Sequence, residues 1–202
     1  MADLKVTGYT GSYENGGITA VKLNTYGQND GPTMFWVDAD YGTDGVWYGW
    51  YDSEWSNDYN SVPLKQGEGV WFKCDGNKKI TSSGEVIQDS VPVKLIQGSQ
   101  LTPNPTPVTV KMGQVIIDGY GDSYEDGGIT AVKLNTYGQN DGPMMIWVDA
   151  DYGTDGVWFG WYDSEWGGDY NTSVSLVPGE SLWLKSPAAN LNVVWPNPMV
   201  TE

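Results

Sequence analysis

Residues Ser12 to Asn60 recur 111 positions later as Ser123 to Asn171, and only six positions in the block differ. The changes are Asn15/Asp126, Thr33/Met144, Phe35/Ile146, Tyr48/Phe159, Ser56/Gly167 and Asn57/Gly168. A unit of this length is too long for a solenoid repeat and long enough for a small domain. The chain of 202 residues is therefore expected to fold twice. The boundaries read from the sequence are a first β-domain over 1–97, a connector over 98–110 and a second β-domain over 111–202. The connector rests on Gln100-Leu-Thr-Pro-Asn-Pro-Thr-Pro107, whose prolines favour an extended, semi-rigid chain.

The pattern inside each copy is that of strands. Short aromatic and β-branched runs alternate with turns rich in Gly, Asn and Asp, and no long run has apolar residues at helical spacing. Strands are expected at Leu4–Thr7, Gly17–Asn24, Thr33–Asp40, Gly45–Asp52, Gly69–Lys73 and Lys79–Ser82. The second set is Val115–Asp118, Gly128–Asn135, Met144–Asp151, Gly156–Asp163, Ser181–Lys185 and Asn190–Trp195. Val91 to Ile96 reads as a last strand of the first domain. Asp44-Gly45 between two aromatic runs marks a hairpin. The expected class is all-β: two tandem small antiparallel sandwiches or barrels arising from an internal duplication.

Charge and missing residue types narrow the function. The net charge is -16 and there is no His. An acidic surface repels phosphate backbones, which argues against a nucleic-acid partner, and it disfavours anionic membranes. Absence of imidazole removes Ser-His-Asp triads and most zinc or copper sites. Cys74 stands alone and its counterpart is Ser186, so no disulfide framework exists. No apolar leader or membrane span is read, so no membrane insertion is expected. An extracellular or cell-surface location is inferred from composition and repeat.

Strand alternation assigns faces. Phe35, Val37 and Ala39, with Val46, Tyr48 and Trp50, read as core. Val21, Leu23, Val70 and Phe72 join them. Trp36, Trp47, Tyr51 and Trp71 read as outward, accompanied by Lys22, Lys73, Asp38 and Asp40, with Gly49 leaving a flat gap. Two readings of the aromatic face remain open. It presents a binding surface, or a further strand or loop covers it.

Flat aromatic faces stack on the apolar faces of sugar rings, and neighbouring Asp, Glu, Asn and Gln bond hydroxyls. The candidate glycan-binding residues are Trp36, Trp47, Tyr51, Asp52, Glu54 and Trp55, with Gln28 and Asn29 nearby. In the second copy they are Trp147, Trp158, Tyr162, Asp163, Glu165 and Trp166. This block resembles the β-sandwich carbohydrate-binding modules appended to secreted bacterial polysaccharide enzymes. The resemblance implies non-catalytic recognition of a polysaccharide or glycan by an exported bacterial protein. Gln66-Gly-Glu-Gly-Val-Trp-Phe72 and Pro178-Gly-Glu-Ser-Leu-Trp-Leu184 resemble a turn-and-strand unit of large secreted or surface β-proteins of bacteria, which also implies export.

Asp38, Asp40 and Asp44, with Asp149, Asp151 and Asp155, offer three oxygen donors per copy for calcium, the one candidate cofactor, although none is required for binding. The spacing departs from the helix–loop–helix calcium loop, and Asp and Gly are also ordinary turn residues. Asp52 with Glu54, or Asp38 with Asp40, could be paired as in a glycosidase, but no enzyme activity is expected. The alternative function is a structural or adhesive subunit that self-associates through its tryptophan faces.

Overall fold

The computed structural model describes residues 1–9, 17–24, 27–65, 67–76, 78–82, 88–121, 128–136, 138–165 and 167–197. The chain is all-β. Its strands are β1 Leu4–Thr7, β2 Thr19–Leu23, β3 Asn29–Asp40, β4 Val46–Tyr51, β5 Gly69–Lys73, β6 Lys79–Ser82, β7 Val91–Lys94 and β8 Gly98–Pro103. They continue as β9 Val110–Lys111, β10 Ile116–Asp118, β11 Thr130–Leu134, β12 Asn140–Asp151, β13 Val157–Tyr162, β14 Ser175–Leu176, β15 Ser181–Ser186 and β16 Asn192–Trp195. One short helix, α1 Tyr170–Ser173, follows β13. Two units divide the chain. Unit 1 holds Met1–Asn24 and Asn29–Glu85, and unit 2 holds Thr25–Gln28 and Val86–Glu202.

Unit 2 is a sandwich. A five-stranded antiparallel sheet runs β13-β12-β11-β15-β8, and a three-stranded sheet runs β10-β16-β7. Met145, Trp147, Trp161, Leu182 and Leu184 from the large sheet pack against Val91, Val93, Ile117, Val193 and Trp195 from the small one. The β14–β9 pair adds Leu176 and Val110 to the same core. The proline-rich stretch is thus no connector. Gly98–Pro103 pairs along the whole of β15, and Val91–Lys94 pairs with β16 and belongs to unit 2 rather than to the first domain. Pro103 fits because β8 is an edge strand of its sheet. Asn104 lies beyond it, and its amide donates to the carbonyls of Val108 and Leu176, so the Pro-rich turn is bonded into the unit.

Unit 1 repeats the larger sheet as β4-β3-β2-β5 and the smaller one as β1-β6. Its core is Met1, Leu4, Val6, Ile18, Ala20, Met34, Trp36 and Trp50. The registers match across the units: Trp36 faces Trp50, and Trp147 faces Trp161. β3 and β12 start at Asn29 and Asn140, earlier than the Gly-Pro turn suggests. A bulge between Val21 and Leu23, and between Val132 and Leu134, absorbs the extra length.

Lys22, expected on the outward face, is instead drawn inward, as is its counterpart Lys133, whereas Lys73 is exposed as expected. Lys133 Nζ lies 3.0 Å from Asp141 and 3.1 Å from Glu180, and Lys22 pairs in the same way with Asp30 and Glu68. Burial lowers the pKa of each ammonium, but bonds to the two carboxylates outweigh it and the net shift is upward. The glutamate of the glycine–acid turn therefore clamps β11 to the loop that feeds β15. Because the folded-state pKa is raised, this contribution is complete below the ordinary lysine range and is lost as pH climbs through the folded value. Replacing Lys133 by Met strands Glu180 without its cation. The expected cost is about 3 kcal/mol in urea denaturation at pH 7, and Lys133→Met/Glu180→Gln is expected to recover part of it.

Candidate functional site

The site is built on the β3–β4 hairpin and its counterpart, β12–β13. A 3-10 turn over Gly42–Asp44 closes the first hairpin. Gly45 takes φ 95, a value that glycine tolerates, and the Tyr41 N–H donates to the Gly45 carbonyl at 3.0 Å. Asp40 Oδ1 accepts the Gly42 N–H at 2.8 Å, and Asp151 does the same for Gly153. These two candidate metal ligands therefore cap turns. Asp38 and Asp149 sit on strands opposite Tyr48 and Phe159, while Asp44 and Asp155 lie in the turns. Among the described residues no three His, Cys, Asp or Glu side chains gather into a group that could hold a metal ion.

The hairpin register decides which aromatics meet. Trp47 stands opposite Ala39, and Tyr51 opposite Phe35, on one face. Their ring centroids lie 5.0 Å apart with planes at 64°. Trp55 joins from the following loop, 5.5 Å from Trp47 and 6.4 Å from Tyr51, and Tyr41 packs edge-on against Trp55 at 5.7 Å. Trp47, Tyr51 and Trp55 are each half-exposed, and Tyr41 is exposed. Unit 2 reproduces the pair, with Trp158 and Tyr162 at 4.9 Å and 63°. Trp166 falls outside the described residues.

The polar edges of the Trp47–Tyr51 and Trp158–Tyr162 pairs are already used. Trp47 Nε1 donates to the Asp44 carbonyl at 3.1 Å, and Trp158 Nε1 to that of Asp155 at 3.1 Å. Tyr51 and Tyr162 hydroxyls donate to the carbonyls of Tyr48 and Phe159. The bonds hold the rings to the hairpin and leave their faces as the accessible chemistry. Trp55 adopts φ 59, a left-handed conformation that is costly for a bulky residue. Packing against three neighbouring rings holds it there.

Trp71 and Trp183, both exposed, belong to the same sheet face, since they pair with Val21 and Val132. Four strands at their usual spacing put about 14 Å between the axes of β5 and β4. The outward placement of Trp47, Tyr51 and Trp71 thus agrees with the sequence reading.

Trp36 and Trp147 do not. They are 1% and 0% exposed and pack edge-on against Trp50 and Trp161. They line the core and leave the candidate binding set. Tyr48 and Phe159, expected inside, are instead 49% and 47% exposed at the sheet edge, packed edge-on against Trp36 and Trp147. Val46 and Val157, on the same face as Tyr48 and Phe159, are also exposed. The flat gap at Gly49 is filled by Asn60. A Cβ there would lie 2.2 Å from Asn60 Oδ1, and that oxygen accepts the Trp50 N–H at 3.0 Å. Gly160 and Asn171 repeat the arrangement. Tyr41 and Asn60 were missed as site residues. Their signal was an aromatic and an amide retained beside the block's turns in both copies.

Asp52 organises the loop that carries Glu54 and Trp55. Its carboxylate accepts from the Ser56 backbone N–H and hydroxyl, each at 2.8 Å, and from the Asn57 side-chain amide. Loss of hydration works against its ionisation, but the hydrogen bonds from Asn57 and Ser56 prevail and lower its pKa to about 2. Asp163 accepts instead from the backbone N–H groups of Glu165 and Gly167. Glu54 and Glu165 are exposed beside the rings. No family model, no curated protein and no solved structure matches this chain.

The Asp52 bonds set a pH test. A depressed folded-state pKa means that the loop's stabilisation is complete above the ordinary carboxylate range and is lost as pH falls towards about 2. In an NMR titration the Asp52 carboxyl carbon is expected to move with a midpoint near 2, together with the Ser56 and Asn57 amides. A midpoint close to that of an ordinary aspartate would show that these bonds do not persist in solution.

Proposed function

We propose that this protein binds polysaccharide without catalysis, as an exported bacterial protein with one aromatic platform per unit. The observation that carries the reading is the half-exposed ring cluster Trp47, Tyr51 and Trp55, repeated as Trp158 and Tyr162, with the indole N–H of Trp47 and Trp158 and the hydroxyl of Tyr51 and Tyr162 bonded internally. Ring faces that are fixed in place and open to one side suit stacking on sugar rings, because little side-chain freedom is lost on binding. Exposed Glu54 and Glu165 supply acceptors for sugar hydroxyls at the rim. Two platforms on one chain strengthen attachment to a polymer through avidity.

The Asp52 shift supports a non-catalytic role. A general acid needs a raised pKa and a general base needs one near the working pH. Asp52 is driven the other way by bonds that fasten its own loop. The second reading, self-association into an adhesive or structural assembly, is favoured by Val46 and Tyr48, and by Val157 and Phe159, apolar side chains exposed on the face opposite the ring clusters.

Native affinity electrophoresis against a panel of soluble polysaccharides, with and without calcium, tests the proposal. One polymer class is expected to retard the wild-type chain. Trp47→Ala/Trp158→Ala is expected to abolish the retardation while holding the melting temperature near wild type. Trp36→Ala, which empties a core site, is expected to cost about 3–5 kcal/mol of stability instead. No retardation on any polymer, with oligomers growing as concentration rises, would replace glycan binding by assembly.

A further inference from the structure

The lysine clamps bring together three groups whose chemistry goes beyond an ion pair. In unit 2, Lys133 Nζ lies 3.0 Å from Asp141 Oδ2 and 3.1 Å from Glu180 Oε1. In unit 1, Lys22 Nζ is in contact with Asp30 Oδ2 and lies 3.0 Å from Glu68 Oε1. The two acids of each trio are held differently. Glu180 Oε2 accepts the Val177 N–H at 2.8 Å, and Glu68 Oε2 accepts the Lys65 N–H at 2.8 Å. Each glutamate is thus fixed through one oxygen and turns the other to the amine. The Asp30 and Asp141 carboxylates bond only to the lysine among the described residues. The lysine and glutamate side chains are enclosed, whereas those of Asp30 and Asp141 are 41% and 44% exposed.

The glutamates lie beyond the repeated block. Around them Gln66 becomes Pro178, Gly69 becomes Ser181 and Val70 becomes Leu182, yet the acid stays the same. One carboxylate is enough to neutralise an ammonium, so an ion pair alone does not call for the second. A second acid, enclosed and oriented, sets a base beside a nucleophile that already touches a carboxyl group.

We propose that each trio forms an intramolecular amide, Lys22 to Asp30 and Lys133 to Asp141, with Glu68 and Glu180 as the catalytic proton carriers. The charged clamp is the state before reaction. Glu180 takes a proton from Lys133 Nζ and passes it to Asp141, so that amine and acid meet uncharged. The amine attacks Asp141 Cγ and the N–C bond forms. Glu180 then carries the second amine proton to the departing oxygen, the C–O bond breaks and water leaves. Ammonium and carboxylate become amide and water, with no net gain or loss of protons or electrons. Such condensation is unfavourable between free groups in water, but fixed contact raises their effective concentration by orders of magnitude. Both acids favour the ammonium, so the free amine is the minority form and the reaction is a slow maturation. The exposed aspartate gives the water a way out. The ring clusters take no part, so the amide stands apart from glycan binding.

Intact-mass spectrometry of the purified full chain is the test. A loss of about 36 Da from the sequence mass, one water per unit, is expected. Asp30 and Asp141 each precede glycine, and a succinimide at Asp-Gly loses the same mass, so the position of the new bond decides. With the amide in place, trypsin fails to cut the denatured chain after Lys22 or Lys133. Chymotrypsin cuts at Tyr26 and Tyr137, and the pieces on either side stay joined. Lys22→Arg/Lys133→Arg keeps both charges and is expected to restore the full mass. Glu68→Gln/Glu180→Gln is expected to do the same, with a circular dichroism spectrum near wild type showing that each variant is folded. An unchanged wild-type mass would overturn the proposal. So would a water loss that persists in the arginine or glutamine variant, or one that leaves Lys22 and Lys133 open to trypsin.

Discussion

A buried tryptophan ties each unit together. Trp161 Nε1 donates to the Val115 carbonyl at 2.7 Å, and Trp50 Nε1 donates to that of Leu4 at 2.8 Å. Each bond joins the hairpin of the large sheet to the chain that leads into the small one. A buried indole is stabilised by such a partner, since leaving the N–H unpaired costs more than the bond itself gains. The backbone of the same residue is fixed by the Asn171 or Asn60 amide. That amide reaches the strand only because Gly160 or Gly49 offers no side chain. One residue thus sets the distance between the sheets and the position of the loop beyond the hairpin.

The candidate site follows from that anchor through strand alternation. With Trp161 pointing into the core, Trp158 and Tyr162 must point the other way, and the register places them opposite Ala150 and Ile146. Trp158 is then fastened to the turn through Asp155, and Tyr162 to the strand through Phe159. The tryptophan buried in the core and the residues that offer ring faces are near neighbours in sequence but differ in exposure. This is why the variants separate: Trp36 belongs with the packing set, and Trp47 with the open set.

Much of this was legible. Period-two patterning and glycine turns located the strands, and alternation put Trp47, Tyr51 and Trp71 on one face. Trp36 was misplaced because Asp38 and Asp40 share its face, and carboxylates argue for solvent. β3 runs for 12 residues, about 40 Å at the usual rise. Met34 and Trp36 lie in the core, while Asp38 and Asp40 lie further along the same face towards the turn, so one face is apolar at one end and wet at the other. Lys22 was misread in reverse, as outward, because its partners Asp30 and Glu68 come from other segments of the chain and no pattern announces the pairing. The Pro-rich stretch looked like a connector because proline weakens strands in general. An edge strand with one free side tolerates it.

The two units carry nearly the same central block in different surroundings, which separates local from global control. The five-stranded sheet with its full core and the four-stranded sheet with its half-covered edge hold their hairpins alike. Ring separations are 5.0 Å and 4.9 Å, and both indole bonds to the turn are 3.1 Å. The platform geometry therefore depends on the hairpin, its turn and the glycine–asparagine contact, and not on the far edge of the sheet where the units differ. A change at β5 or β6 can alter how firmly unit 1 holds together without moving the rings.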